Sequence, residues 1–368
     1  MDLYLCDGIA RVFKETLQIV MHNPISIKGD LSMKAKRNLV MLFTLFCLAL
    51  IFSGCSSDAS NSGTPSAASS ETPAKNKKKV VGVLIGDFSA QFHAYIMDGM
   101  KVEAKKYPDV QFVYVDGKFD STVQLGQVEN FIAQKVDAII FVPGDSEGSR
   151  PAVDLIAKAG IPLINVNTKV PNADQVAAYA YAGSSSVESG EILMEAMAEV
   201  MGGKGNMIEL QGWYGHEPQI ERHQGIANIL KKHPDIKVLA EDSGKWNREE
   251  GMKKVENWIQ SDLKGKFNAI VAHNDEMAVG AVKALEDAGL LEQVVVGGID
   301  ATPDALNMLK AGKLKVTVFQ DAFGQGAKGV ELAVKVLNGE KLEKEYIIPY
   351  KRVKPEEADK YLAIYGKK

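Results

Sequence analysis

The chain has 368 residues, 46% of them hydrophobic and 24% charged, with a formal net charge of −4, enough for a large buried core and two domains. The slight acidity provides no strongly basic face, so no nucleic-acid partner is expected. The three cysteines, Cys6, Cys47 and Cys55, leave the body after Cys55 without a thiol, which excludes a disulfide framework there.

Residues 1–32 show no export pattern, and charged residues ahead of a signal are unusual. Met33 is therefore expected as the true start, with 1–32 a non-native upstream extension; codons for Lys28-Gly29 can spell a purine-rich ribosome-binding stretch just before it. Residues 33–54 read as a signal peptide. Lys34, Lys36 and Arg37 form a positive region, Leu39 to Phe52 an apolar run, and Ser53-Gly54 the small residues needed before a cut. The apolar run is shorter than the ~20 residues of a spanning helix, which favours a cleaved signal over a permanent anchor. Cys55 directly after Ser-Gly resembles a bacterial lipobox, with Phe52 where Leu is commoner; the resemblance implies lipidation of Cys55 and a membrane anchor. Residues 55–78, rich in Ser, Ala, Pro, Asn and Lys without periodicity, read as a disordered tether.

From Val80 onward, short β-branched runs alternate with amphipathic stretches of helical length. Strands are predicted at 80–85, 110–115, 138–142, 162–166, 178–183, 206–211, 236–240, 269–273, 294–299 and 315–319, with helices between them, among them 94–107, 187–201 and 275–289. Apolar strands without polar alternation imply a parallel sheet covered on both faces. The β-α alternation implies a doubly wound α/β architecture. Ten strands overfill one such sheet, so two similar lobes are expected.

In open α/β sheets ligands sit beyond the carboxyl ends of the strands, and there the chain places Asp87, Asn167, Asn274, Asp300 and Gln320. The first strand is followed by GDFSAQF, which lacks the glycine fingerprint for a dinucleotide. The six histidines form no metal spacing or Ser-His-Asp set. No cofactor, metal or catalytic group is expected.

The stretches IELQGWYGHEPQIERHQGI (208–226), AHNDEMAVGAVKAL (272–285), VVVGGIDATPD (294–304) and VFQDAFGQGAKGVELAVKVLNGEK (318–341) resemble the ribose-binding branch of the type I periplasmic binding proteins. The resemblance covers nearly all of 80–354. It implies two α/β lobes joined by three hinge strands, a sugar or polyol held in the cleft, and no enzymatic activity. The N-terminal lobe is expected at 79–184 plus 321–349, and the C-terminal lobe at 185–320 plus 350–368.

Carried over position by position, the resemblance makes Arg222 the ligand-binding arginine, Asp300 the bidentate acceptor, Asn274 an amide contact and Gln320 a hinge-side glutamine. It makes Phe92, His93 and Trp246 aromatic contacts, and Ser184 a hinge serine. Asn167, Trp213 and Asp145 are further candidates. Such a set suits a polyol, whose hydroxyls both donate and accept and whose C–H faces are apolar. Each residue also has a plainer reading: Asn274 and Asp300 as helix caps, Arg222 paired with Glu217 or Glu221, Asp145 as a loop cap, the tryptophans as packing. Trp258, at helical spacing with Val255, reads as packing only.

The chain departs from the ribose pattern at Asn167-Thr168, where Asp-Arg is common, at Ser89-Ala90, and at Val142. These departures point to a hexose, an inositol, another polyol or a sugar-derived signal rather than ribose. The function expected is therefore a lipid-anchored, extracytoplasmic substrate-binding protein of an ABC importer, a monomer by family expectation, handing its ligand to a membrane permease. The alternative is a sensor that signals to a receptor. A sugar-responsive repressor shares such lobes but needs a helix-turn-helix before the first strand, where the sequence has a signal and a tether instead.

Overall fold

The computed structural model describes residues 78–366. The upstream extension, signal peptide, Cys55 and nearly all of the tether lie outside those residues. Among the described residues no helix is long and apolar enough to cross a membrane.

Two six-stranded sheets organise the molecule. The first contains β1 (Lys79–Ile85), β2 (Val110–Asp116), β3 (Ala138–Phe141), β4 (Leu163–Asn167), β5 (Tyr179–Gly183) and β11 (Glu345–Ile347), in the order β11-β5-β4-β3-β1-β2. The second contains β6 (Gly205–Gln211), β7 (Ile236–Ser243), β8 (Ala269–Ala272), β9 (Val295–Asp300), β10 (Val316–Phe319) and β12 (Lys351–Val353), in the order β12-β10-β9-β8-β6-β7. The order is the same in both sheets, so the two lobes repeat one doubly wound plan. The ten anticipated strands are all present. β11 and β12 escaped the sequence reading because EYI and KRV are three-residue, largely exposed segments with no apolar run. β12 also breaks the parallel rule, pairing antiparallel with β10.

Alternation along β1 shows how each sheet is sealed on both faces. Val81, Val83 and Ile85 pack with Ile96, Met100 and Val330, beneath α1 (Gln91–Ala104) and α9 (Ala322–Leu337). Leu84 turns the other way onto Val128, Phe131 and Val153, carried by α2 (Ser121–Gln134) and α3 (Arg150–Ala159). In the second lobe Ile208, Leu210 and Val296 face α6 (Arg248–Gln260) and α7 (Asp275–Asp287). Met207, Val271 and Ile299 face α4 (Ser186–Val200) and α5 (Glu217–Leu230). Trp258 packs against the first of these clusters, and Val142 is fully buried within the core of the first lobe.

The chain passes between the sheets three times: between β5 and α4, between β10 and α9, and between β11 and β12. Two short helices, α8 (Pro303–Lys310) and α10 (Ala358–Tyr365), complete the second lobe. Phe319 meets Tyr361 at a ring-centroid distance of 4.6 Å, fastening α10 there.

Candidate ligand-binding site

A cavity of about 420 Å³ lies between the lobes, within the range of small-molecule sites. The loops after all ten β1–β10 strands meet there, as the strand-end rule requires of two doubly wound sheets facing one another. Phe92, His93, Asn167, Arg222, Trp246, Asn274, Asp300, Gln320 and Trp213 all line it.

Two candidates do not. Ser184 stands one layer back, where its Oγ accepts from Gln325 Nε2 at 3.0 Å while Gln325 Oε1 accepts from Asn167 Nδ2 at 3.0 Å. It therefore bears on the cavity through Asn167. Asp145 caps its own loop, accepting from the backbone of Glu147 at 3.1 Å and of Gly148 at 3.2 Å. The plainer reading of that residue is the observed one.

Arg222 is buried at 4% exposure, not paired on the surface. Its Nη2 donates to Gln320 Oε1 at 2.8 Å and to Tyr350 OH at 3.2 Å, and its Nη1 to the carbonyl of His273. The guanidinium lies over the Trp246 ring, 5.6 Å from its centroid. Its buried Nε has no hydrogen-bond partner among the described residues. The helix that carries it reaches this position because Gly190 and Gly225 let α4 and α5 cross closely. A Cβ on Gly190 would come 2.2 Å from the Arg222 carbonyl, and one on Gly225 would come 2.2 Å from the Val187 carbonyl.

The NDE run at the start of α7 divides three tasks. Asn274 Oδ1 caps the helix at Met277 N, 3.1 Å away, and its Nδ2 holds the Trp246 carbonyl at 3.2 Å, so it is both cap and cavity wall. Asp275 is fully buried. It accepts from Thr302 N at 2.8 Å and from Thr317 Oγ1 at 2.8 Å, pinning the turn that presents Asp300. Glu276 pairs with both ends of the Arg248 fork, at 3.0 and 2.9 Å, on the cavity wall.

Burial pushes Asp300 up to about 7, against the pull of Arg222, and burial also raises Asp275 well above the usual carboxylate range. Donors supplied by a ligand would favour the ionised form of Asp300. On the opposite wall, burial holds the His93 imidazole down to about 4, despite Asp87, so it is neutral. Its Nδ1 accepts from Asp87 N at 3.1 Å. His93 is thus a buried wall residue rather than a half-exposed one at a helix start.

Backbone strain concentrates here. Of the eight non-glycine residues with positive φ among the described residues, five line the cavity: Phe119, Asn167, Lys245, Trp246 and Asp300. Such conformations cost about 1–3 kcal/mol each and persist where the surroundings over-determine them, commonly at ligand sites. Trp246 shows how. A Cβ on Gly212 would meet its ring at 1.9 Å, so the residue after β6 must be glycine for the indole to lie across the floor.

The sequence reading missed Phe119 and His216. His93 and Phe119 rings lie 5.1 Å apart, Phe119 and His216 6.4 Å, and His216 and Trp213 6.4 Å. This arc of rings spans the cleft, and His216 Nδ1 also meets Trp246 Nε1 at 3.3 Å. Phe119 follows β2 and His216 lies in the loop after β6, so applying the strand-end rule to every loop residue would have drawn both in. Of the departures from the ribose pattern, Ser89, Ala90, Asn167 and Thr168 line the cavity, with Ser89 Oγ turned back onto Asp87 at 2.6 Å, whereas Val142 is a core residue away from it.

Residues 81–341 match the periplasmic binding protein domain. The chain is 35% identical to a putative rhizopine-binding protein of Rhizobium meliloti over 279 residues, 75% of this chain and 90% of the relative. It is also 35% identical to a xylitol-binding protein of Mycolicibacterium smegmatis over 292 residues, 78% of this chain and 81% of the relative. A solved ABC transporter solute binding protein from Bacillus halodurans with bound myo-inositol superimposes with a TM-score of 0.75 at 44% identity. That match covers 79% of this chain and all of the other.

Proposed function

The chain belongs to the periplasmic binding protein family, whose members here are sugar- and polyol-binding proteins rather than enzymes, and from that premise we propose that it is the substrate-binding component of an ABC importer for a cyclic polyol of the inositol type. The observation that carries this reading is the meeting of Arg222, Asp300, Asn274 and Gln320 with the Trp246 and Phe92 rings around one cavity. A carboxylate, a guanidinium and two amides satisfy a ring of hydroxyls, and the aromatic plates cover its C–H faces. The likeness to a protein with bound myo-inositol and to a xylitol-binding relative supports a polyol over an aldopentose.

The family places the protein outside the cytoplasm. In this reading Cys55 is lipidated and holds it to the membrane, residues 55–78 are its tether, and the lobes divide at 79–184 plus 321–349 and 185–320 plus 350–368. The lobes close on the polyol by motion at the three crossings, and the closed form docks on a permease as a monomer. No bond in the ligand changes.

Residues 78–368 are expressed, freed of co-purified ligand, and titrated with myo-inositol, scyllo-inositol, xylitol, ribose and allose. Ligand at a hundred times its dissociation constant adds about 2.7 kcal/mol, which raises Tm by several degrees. A shift selective for inositols and absent in Asp300→Ala is expected; a flat panel, or one that Asp300→Ala leaves intact, overturns the assignment. Loss of polyol uptake on deleting the gene distinguishes import from sensing, and label from a radioactive fatty acid that vanishes in Cys55→Ala tests the anchor.

A further inference from the structure

A plate that only covers the C–H face of a ligand needs no nitrogen, yet two of the rings in the arc across the cavity are imidazoles. They come from opposite lobes. His93 stands on α1 in the first, and His216 directly precedes α5 in the second, and both line the cavity.

The hydrogen bonds behind the two rings fix where their hydrogens lie. A backbone amide and an indole N–H can only donate. Asp87 N donates to His93 Nδ1 at 3.1 Å, and Trp246 Nε1 donates to His216 Nδ1 at 3.3 Å. Each Nδ1 therefore carries a lone pair. Burial is the leading influence on both rings and lowers both, His93 to about 4, so neither takes up a second proton near neutral pH. A neutral imidazole with a lone pair on Nδ1 has its hydrogen on Nε2. Neither Nε2 has a hydrogen-bond partner among the described residues, and neither is sealed from solvent. His93 is only 6% exposed and fronts the cavity, so its Nε2–H opens there.

The amides of the wall face the other way about. Asn274 Oδ1 accepts from Met277 N and Gln320 Oε1 from Arg222 Nη2, which leaves their N–H groups for the cavity. Acceptance of ligand hydrogens by the buried side chains therefore centres on Asp300. The site has a direction: hydroxyl hydrogens belong against Asp300, and oxygens belong against the two imidazoles.

Resting on the polyol reading, we propose that His93 and His216 are specificity-determining hydrogen-bond donors, one from each lobe, that read acceptor oxygens of the ligand through Nε2–H. A hydroxyl oxygen satisfies either ring. A deoxygenated carbon in its place leaves a desolvated N–H unmet. Because the two rings belong to different lobes, both contacts form together only when the lobes are together, so the same groups join recognition to closure.

The purified chain, labelled with nitrogen-15 and freed of co-purified ligand, is studied by long-range proton–nitrogen correlation spectroscopy at neutral pH, before and after addition of myo-inositol. Hydrogen on Nε2 of both rings is expected in the unliganded protein, with both Nε2 resonances moving on binding; hydrogen on Nδ1 of either ring overturns the proposal. His93→Phe and His216→Phe keep a ring and remove the donor. Each should weaken myo-inositol binding about two- to tenfold, the size of one neutral hydrogen bond, and unchanged affinity in both overturns the proposal. These variants also deprive Asp87 N or Trp246 Nε1 of an acceptor, so wild type and variants are titrated with the monodeoxy analogues of myo-inositol as well. Removing the hydroxyl that faces a ring should weaken binding to the wild type and cost little further in the matching variant, a non-additivity confined to that position. A loss equal for every analogue overturns the proposal and leaves the two rings as packing. Absence of myo-inositol binding to the wild type overturns the reading of the ligand and not this one, which the unliganded spectra and the same cycle with xylitol or allose and their deoxy analogues decide.

Discussion

Asp300 and Arg222 show how burial changes ordinary side chains at the candidate site. Asp300 ends β9 at a φ of 125° and is 3% exposed. The cost of burying that charge is what lifts its proton affinity toward neutrality. Hydroxyl donors from a ligand favour the carboxylate form, so binding releases a proton wherever the unliganded group is still protonated. Affinity should accordingly fall as pH drops from about 7 to about 5, at most tenfold per pH unit. Calorimetry across that range should show the slope in wild type and its absence in Asp300→Asn. Removing the guanidinium takes away the group that neutralises Asp300 and orders Gln320. Charged hydrogen bonds contribute about 1.5–3 kcal/mol, so Arg222→Ala should weaken binding about ten- to hundredfold while the circular dichroism spectrum stays native. Unchanged affinity in that variant would remove Arg222 from the site.

At the scale of elements, close backbone approach places the functional groups. Gly212→Ala puts a methyl where the Trp246 ring lies; the indole must leave the cavity floor, and affinity should drop while Tm changes less. Gly225→Val acts on the α4–α5 crossing, where the added carbons meet the Val187 carbonyl. Overpacking of this kind costs about 1–3 kcal/mol, and chemical denaturation should register it together with weakened binding, because α5 carries Arg222. The strands and most helices that bear these residues were legible in the sequence. Apolar runs such as AIIF and VVVGGI are local signals. β11 and β12 were not legible, because each is short, polar and exposed and exists only where a completed sheet offers it an edge.

For the whole molecule, the contacts that bridge the lobes matter apart from those that line the cavity. Tyr95 on α1 meets Tyr365 on α10 with ring centroids 4.5 Å apart, and Tyr365 OH donates to the Ala301 carbonyl at 3.0 Å, beside Asp300. An aromatic pair of this kind contributes about 0.5–1.5 kcal/mol, here to the arrangement of the two lobes seen in this structure. Tyr95→Ala should therefore raise the polyol dissociation constant roughly two- to tenfold, by lowering the closed population, though Tyr95 does not line the cavity. Small-angle scattering should show a more open ligand-free form in this variant; an unchanged profile and affinity would assign closure to other contacts.

Alternating β-branched and amphipathic runs determine a doubly wound plan by themselves, since strand and helix periodicity are properties of neighbouring residues. The position of polar residues at strand ends determines where a ligand belongs, since strand polarity in a parallel sheet is common to every strand. Asn167, Asn274, Asp300 and Gln320 were marked in this way, and Arg222 and Trp246 only by the family resemblance. Tertiary structure alone decided that Ser184 works through Gln325, that Asp145 only caps its loop, and that Phe119 and His216 complete an arc of rings. Each of those outcomes depends on the direction of a side chain set by a left-handed residue, a glycine crossing or a neighbouring strand, and such directions arise only when segments distant in sequence are packed together.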